Sequence, residues 1–150
     1  MIYELIHDWV TRKIGVLNTP TILINEIDTT LDTNFLPASL KDKTYIIKLG
    51  ETSFDDTHED IEFDVKVIIE FEFLLAKQQI SNYQNLIDNI LYQLGLILFD
   101  NTKVPFTASD NNNLSIYNIS KFDIKGLDKL DKTGTYLLPA MEFNLSIMYK

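Results

Sequence analysis

Residues 61–73 read Ile-Glu-Phe-Asp-Val-Lys-Val-Ile-Ile-Glu-Phe-Glu-Phe. Every odd position is apolar, and every even position except Ile68 is charged. Successive side chains on a strand point to opposite faces, so this segment has one face for a core and one for water. At roughly 3.3 Å per residue it extends about 43 Å, well past the usual strand. In a chain of 150 residues, a strand of that length is expected to project past its own core or to pair with something outside it. That expectation favours an assembly component over a self-contained enzyme.

The strand is followed by a helix. Ser81-Asn82-Tyr83-Gln84 has the spacing of a capping box, in which the Ser and Gln side chains satisfy backbone N–H groups of the first turn. Behind it, Tyr83, Leu86, Ile87, Ile90, Leu91, Leu94, Ile97 and Leu98 repeat at helical spacing. A second helical stripe, Ile2, Leu5, Ile6, Trp9, Val10 and Ile14, opens the chain, with Gly15 and Pro20 expected to end it. Trp9 belongs to this stripe and reads as core, while His7 on its flank reads as a boundary residue.

The remaining strands are shorter. Thr21–Ile27 and Thr44–Leu49 are β-branched or apolar runs, the latter closed by Gly50. Asp28–Lys43 reads as a long connection, Glu51–Asp60 as a polar acidic loop, and Asp100–Asn113 as a further loop. Leu114–Ile124 reads as extended, with imperfect alternation. Tyr136–Tyr149 is a last strand, and Pro139, which lacks an N–H, predicts an edge or bulge near its start. The expected fold is a single α+β domain over 1–150: a mainly antiparallel four- to five-stranded sheet with both helices on one face.

Composition narrows the function classes. The chain has no cysteine, which removes disulfides, thiolate nucleophiles and zinc–thiolate sites. Its net charge of −9 disfavours a basic nucleic-acid stripe. Lys121, Lys125, Lys129 and Lys132 alternate with Asp123, Asp128 and Asp131, and read as a mixed-charge hairpin. No apolar run approaches the ~18 residues of a transmembrane helix, and the N-terminus lacks a basic stretch followed by an apolar one, so neither a membrane span nor a signal peptide is expected.

The one cluster with metal-ligand chemistry is Asp55-Asp56-Thr57-His58-Glu59-Asp60. It lacks the Gly of an EF-hand loop and matches no ligand spacing, so it reads as a solvated acidic loop. There is no Gly-x-Ser-x-Gly, no phosphate-binding Gly-rich loop and no dinucleotide fingerprint. Neither catalytic residues, nor a metal, nor a cofactor are expected.

The order of elements resembles the tail terminator (tail completion) proteins of long-tailed bacteriophages. An N-terminal helix precedes Leu36-Pro37 and Tyr45-Ile46-Ile47. The alternating strand Val65–Phe71, a Tyr-x-x-x-Ile-Asp-x-Ile helix at Tyr83–Ile90, and a Met-Glu-Phe-Asn-Leu-Ser-Ile strand at Met141–Ile147 follow. The resemblance covers nearly the whole chain, and order and spacing carry it. The acidic segment 55–60 has no counterpart in the family.

The resemblance implies a non-enzymatic virion protein, assembled in the host cytoplasm into a hexameric ring at the head-proximal end of the tail. Such a ring ends tube polymerisation, contacts the tail tube protein and a head-completion or neck protein, and lets DNA pass without specific binding. Its contacts would lie in the long loops and along sheet edges. The residues expected at an interface or channel are Glu62, Asp64, Glu70, Glu72, Asp55, Asp56, Phe35 and Leu36. Two other readings remain: a different head–tail neck protein, and a small acidic non-enzymatic binding module.

Overall fold

The computed structural model describes residues 2–17, 25–26, 42–57, 60–74, 88–99 and 114–149. In chain order these form α1 (Ile2–Leu17), β1 (Asn25–Glu26), β2 (Thr44–Thr57) and β3 (Asp60–Leu74). A π-helical turn (Asp88–Tyr92) then runs into α2 (Gln93–Phe99), followed by β4 (Leu114–Lys125), β5 (Tyr136–Leu137) and β6 (Ala140–Tyr149). The sheet order is β1-β2-β3-β6-β4, with β5 pairing β3. All pairings are antiparallel except the two-residue parallel contact of β1 with β2. The α+β architecture expected from the sequence is therefore present, with its core on the helix side of the sheet.

The long strand does not reach outside the chain for partners. β3 is the centre of the sheet, with β2 along one edge from Asp60 to Glu72 and β6 along the other from Ile61 to Glu70. Of the two alternatives its length offered, pairing with something outside the chain is not needed, because both edges are taken within it. The partner was hidden because β2 contains a bulge: Leu49 faces Val67 and Thr52 faces Val65, so Gly50 and Glu51 together oppose Lys66. One inserted residue shifts the period-two pattern, so the sequence reads as a strand ending at Gly50. Glu51–Thr57, expected as loop, continues the strand instead.

β4 repeats this device twice. Irregularities fall between Ile116 and Asn118 and between Ser120 and Asp123, the second at Lys121, whose φ is 54°. Ile116, Ile119, Phe122 and Ile124 still pack on the core, but at spacings of three, three and two. That is the origin of the imperfect alternation. At Pro139 the strand breaks without slipping: Phe73 faces Leu137 before it and Glu70 faces Ala140 after it. The missing N–H interrupts the ladder, and the Pro139 carbonyl still accepts from Phe71 N–H at 2.9 Å.

The core takes Val65, Val67, Ile69, Phe71 and Phe73 from β3, and Met141, Phe143, Leu145 and Ile147 from β6. α1 covers them with Leu5, Ile6, Trp9, Val10, Ile14 and Leu17, and the second helical segment adds Ile90, Leu91, Leu94 and Leu98. Trp9 is fully buried, as its place in the stripe implies. α1 runs past Gly15, which is exposed and does not end the helix. Leu17 thereby adds another buried side chain. The capping box at 81–84, the connection 28–41, the strand residues 21–24 and 27, and the loop 100–113 lie outside the described residues.

Among the described residues, one buried side chain is a lysine. Lys13 is fully enclosed between the helices. Its Nζ donates to the Ile97 carbonyl at 3.0 Å and lies 5.2 Å from the Trp9 ring centre. Ile97 is in the last turn of α2, where carbonyls have no intrahelical partner, so the ammonium caps that helix from the side.

Candidate interaction surface on the open face of the sheet

Because the odd residues of β3 and β6 point into the core, the even residues form the opposite face. Among the described residues no helix covers that face, since α1, the π-turn and α2 all contribute to the core on the other side. Glu62, Asp64, Lys66, Ile68, Glu70 and Glu72 come from β3, and Glu142, Asn144 and Ser146 from β6. Register then decides who meets whom. Asp64 stands opposite Ser146 and accepts its hydroxyl at 2.7 Å. Glu70 pairs diagonally with Lys48 of β2 at 3.0 Å.

The densest charge lies where β6 meets β4. Asp123 and Glu142 are direct cross-strand partners, an arrangement that destabilises a sheet unless a cation intervenes. Lys125 supplies it: its Nζ is 2.8 Å from Glu142 and 4.0 Å from Asp123. Lys66 reaches the same Glu142 oxygen from β3 at 3.6 Å. The hydrogen bond from Lys125 holds the Glu142 carboxyl below its ordinary value, against a partial loss of water that pushes the other way. The same bond raises the Lys125 ammonium above its own. Around this network is an open depression of ≈ 720 Å³, with Glu51, Ser53, Asp64, Lys121 and Asn144 also on its walls.

The sequence-expected residues fall as follows. Glu62, Asp64, Glu70 and Glu72 share the open face, Asp64 and Glu70 exposed and Glu62 and Glu72 half-buried. They do not form an unbroken acidic row, because Lys66 sits between them on β3 and Lys48 beside them on β2. Asp55 and Asp56 stand on β2 in register with Glu62 and Ile61, not in a loop. Phe35 and Leu36 lie outside the described residues, as do His58 and Glu59 of the acidic cluster. Among the described residues, no three His, Asp or Glu side chains converge in a metal-binding arrangement. His7 lies on the flank of α1, 3.5 Å from Asp8 and beside the Tyr3 ring.

Glu142, Lys125 and Lys66 were not singled out from the sequence. The alternation of Met141-Glu142-Phe143 already places Glu142 outward, and the Lys/Asp run already marks β4 as charged. What the sequence does not contain is the register that sets Asp123 against Glu142, because two bulges precede it. Chemically, the face is a water-exposed lattice of opposite charges. Single exposed ion pairs contribute ~0–1 kcal/mol each, so these pairs add little to holding the fold together.

Neither a protein-family model nor a curated protein matches this chain.

Proposed function

We propose that this chain is a structural virion protein, a tail terminator that forms a ring at the head-proximal end of a phage tail tube, ends tube polymerisation and joins tail to head. The observation that supports this reading most is the one-sided sheet. Helices fill one face, and long strands carry an open, charge-patterned face bearing Glu62, Asp64, Glu70 and Glu72. This agrees with the element order that carries the family resemblance. An open mixed-charge face suits contact with other protein surfaces, where matched charges set register and partner choice. The acidic balance of the chain, −9 overall, suits a ring through which DNA slides without sticking.

In this reading the protein is not an enzyme, and its partners are further copies of itself, the tail tube protein and a neck protein. Purified protein is expected to co-sediment with isolated tail tubes and to stop their elongation when added during assembly. Tubes that elongate unchecked in its presence, with no protein bound, would rule this function out. A small acidic binding module predicts a single exposed apolar patch, whereas among the described residues α1, the second helical segment and the β4–β5 loop each carry exposed apolar side chains.

A further inference from the structure

We infer that two copies of this chain pair edge to edge along β4, antiparallel, about a two-fold axis through Ile119. The inference goes beyond the ring reading and does not rest on it.

β4 is the last strand of the sheet, and among the described residues no strand pairs its outer edge over Leu114–Lys125. Its core-side residues are left incompletely covered. Ile116, Ile119 and Ile124 are half-buried, whereas the β6 residues they face, Ile147, Leu145 and Met141, are fully buried. Phe122 is half-buried too, and Phe99, whose ring meets it edge-on at 5.2 Å, is 48% exposed. A further strand along this edge would take that apolar surface out of water.

The bulges say which strand fits. β4 has one extra residue between Ile116 and Asn118, and another, at Lys121, between Ser120 and Asp123. Each changes the phase of the side chains, so a regular strand laid along this edge would match faces for only part of its length. The two bulges fall at positions 117 and 121, symmetrically about Ile119. A second β4 running the other way therefore presents its bulges at the same levels. In that register Ile116 meets Phe122 and Ile119 meets its own copy, so core-side residues meet core-side residues. Asn118 meets Ser120 on the open face. Moving the axis to Asn118 sets Ile116 against Ser120, and moving it to Ser120 sets Asn118 against Phe122. Both place a core-side residue opposite an outward one.

Charge fits the same register. Lys121, Asp123 and Lys125 all lie in the second half of β4, and residues 114–120 carry no charge. The reversed copy sets the charged half against the uncharged one, so no like charges stand directly opposite across the edge, where they would be destabilising. An isologous contact of this kind stops at two copies. It describes the free chain at concentrations below those that close a ring.

The chain has no cysteine, so single introduced cysteines report the register directly. Asn118→Cys and Ser120→Cys are made separately, with circular dichroism to confirm that both fold. Mixed and oxidised, they are expected to give the disulfide-linked heterodimer severalfold above its statistical share, since residues directly opposite are closer than diagonal ones. Sedimentation of the wild type is expected to show a dimer at dilutions where no ring is present. Homodimers and heterodimer in statistical proportion, or a wild type that is monomeric at every concentration below ring formation, would overturn the β4 pairing. Neither outcome touches the ring reading, which fails instead if no closed ring forms and tail tubes elongate unchecked.

Discussion

At the scale of single residues, Lys13 and Glu142 show charge used in opposite ways. Lys13 is buried, and its Nζ donates to the Ile97 carbonyl of α2 and lies over the Trp9 ring. Lys13→Ala removes that packing and leaves the Ile97 carbonyl without its donor. The expected cost is about 2–4 kcal/mol, combining a lost buried partner with a cavity. Lys13→Met keeps the stem and is expected to cost about 1–2 kcal/mol; chemical denaturation of both variants measures the difference. Equal stability to the wild type would show that the ammonium does not cap α2. Position 13 follows Trp9 by four residues, so its place on the buried stripe was visible in the sequence. What hid it was the habit of assigning lysine to water.

Glu142 gives a pH signature. Its carboxyl titrates below the ordinary 4.5, chiefly through the Lys125 hydrogen bond. A group whose folded value is depressed stabilises the fold above its unfolded value and loses that contribution as pH falls through the folded one. The stability gap between wild type and Glu142→Gln is therefore expected to be constant above about pH 5 and to close as pH drops through the acidic range. Urea melts from pH 7 to pH 3 follow this, and a gap that does not change would exclude the assigned ion pair.

At the scale of elements, legibility tracked the continuity of pattern. β3 and β6 keep one phase along their length, with only Ile68, Leu74, Ala140 and Met148 apolar on the even side, and were readable, as was the helical stripe from Ile90 to Leu98 though not its opening π-turn. β2 was cut short at Gly50 and β4 blurred, because each bulge inserts a residue and moves the apolar positions to a new phase. The cross-strand network around Glu142 was unreadable for the same reason. The helix-to-sheet fit is similarly a property of contact rather than pattern. A Cβ on Gly95 would lie 2.9 Å from the Phe122 ring, and that ring is bracketed by Phe99 and Phe143. Gly95→Ala gains about 1 kcal/mol of helix propensity, but overpacking costs about 1–3 kcal/mol, so a net loss of stability is expected. In the Phe122→Leu background the same change should cost less, which a double-mutant cycle measures. A simple gain in both backgrounds would mean that α2 does not sit this closely on β4.

At the scale of the whole molecule, the structure shows a sheet that completes its own long strand and, among the described residues, keeps one face open. The assembly reading therefore no longer depends on β3 seeking an outside partner. It depends on the open charged face of the sheet and on the element order that carries the family resemblance. The central claim is that copies of this chain close into a ring. Light scattering of the purified wild type over a concentration series, with negative-stain imaging of the same sample, tests it most directly. The account predicts a discrete species of about six copies, seen as closed rings, because a cyclic arrangement stops at a fixed number of copies. A strict monomer at the highest attainable concentration, with and without tail tubes present, would contradict it.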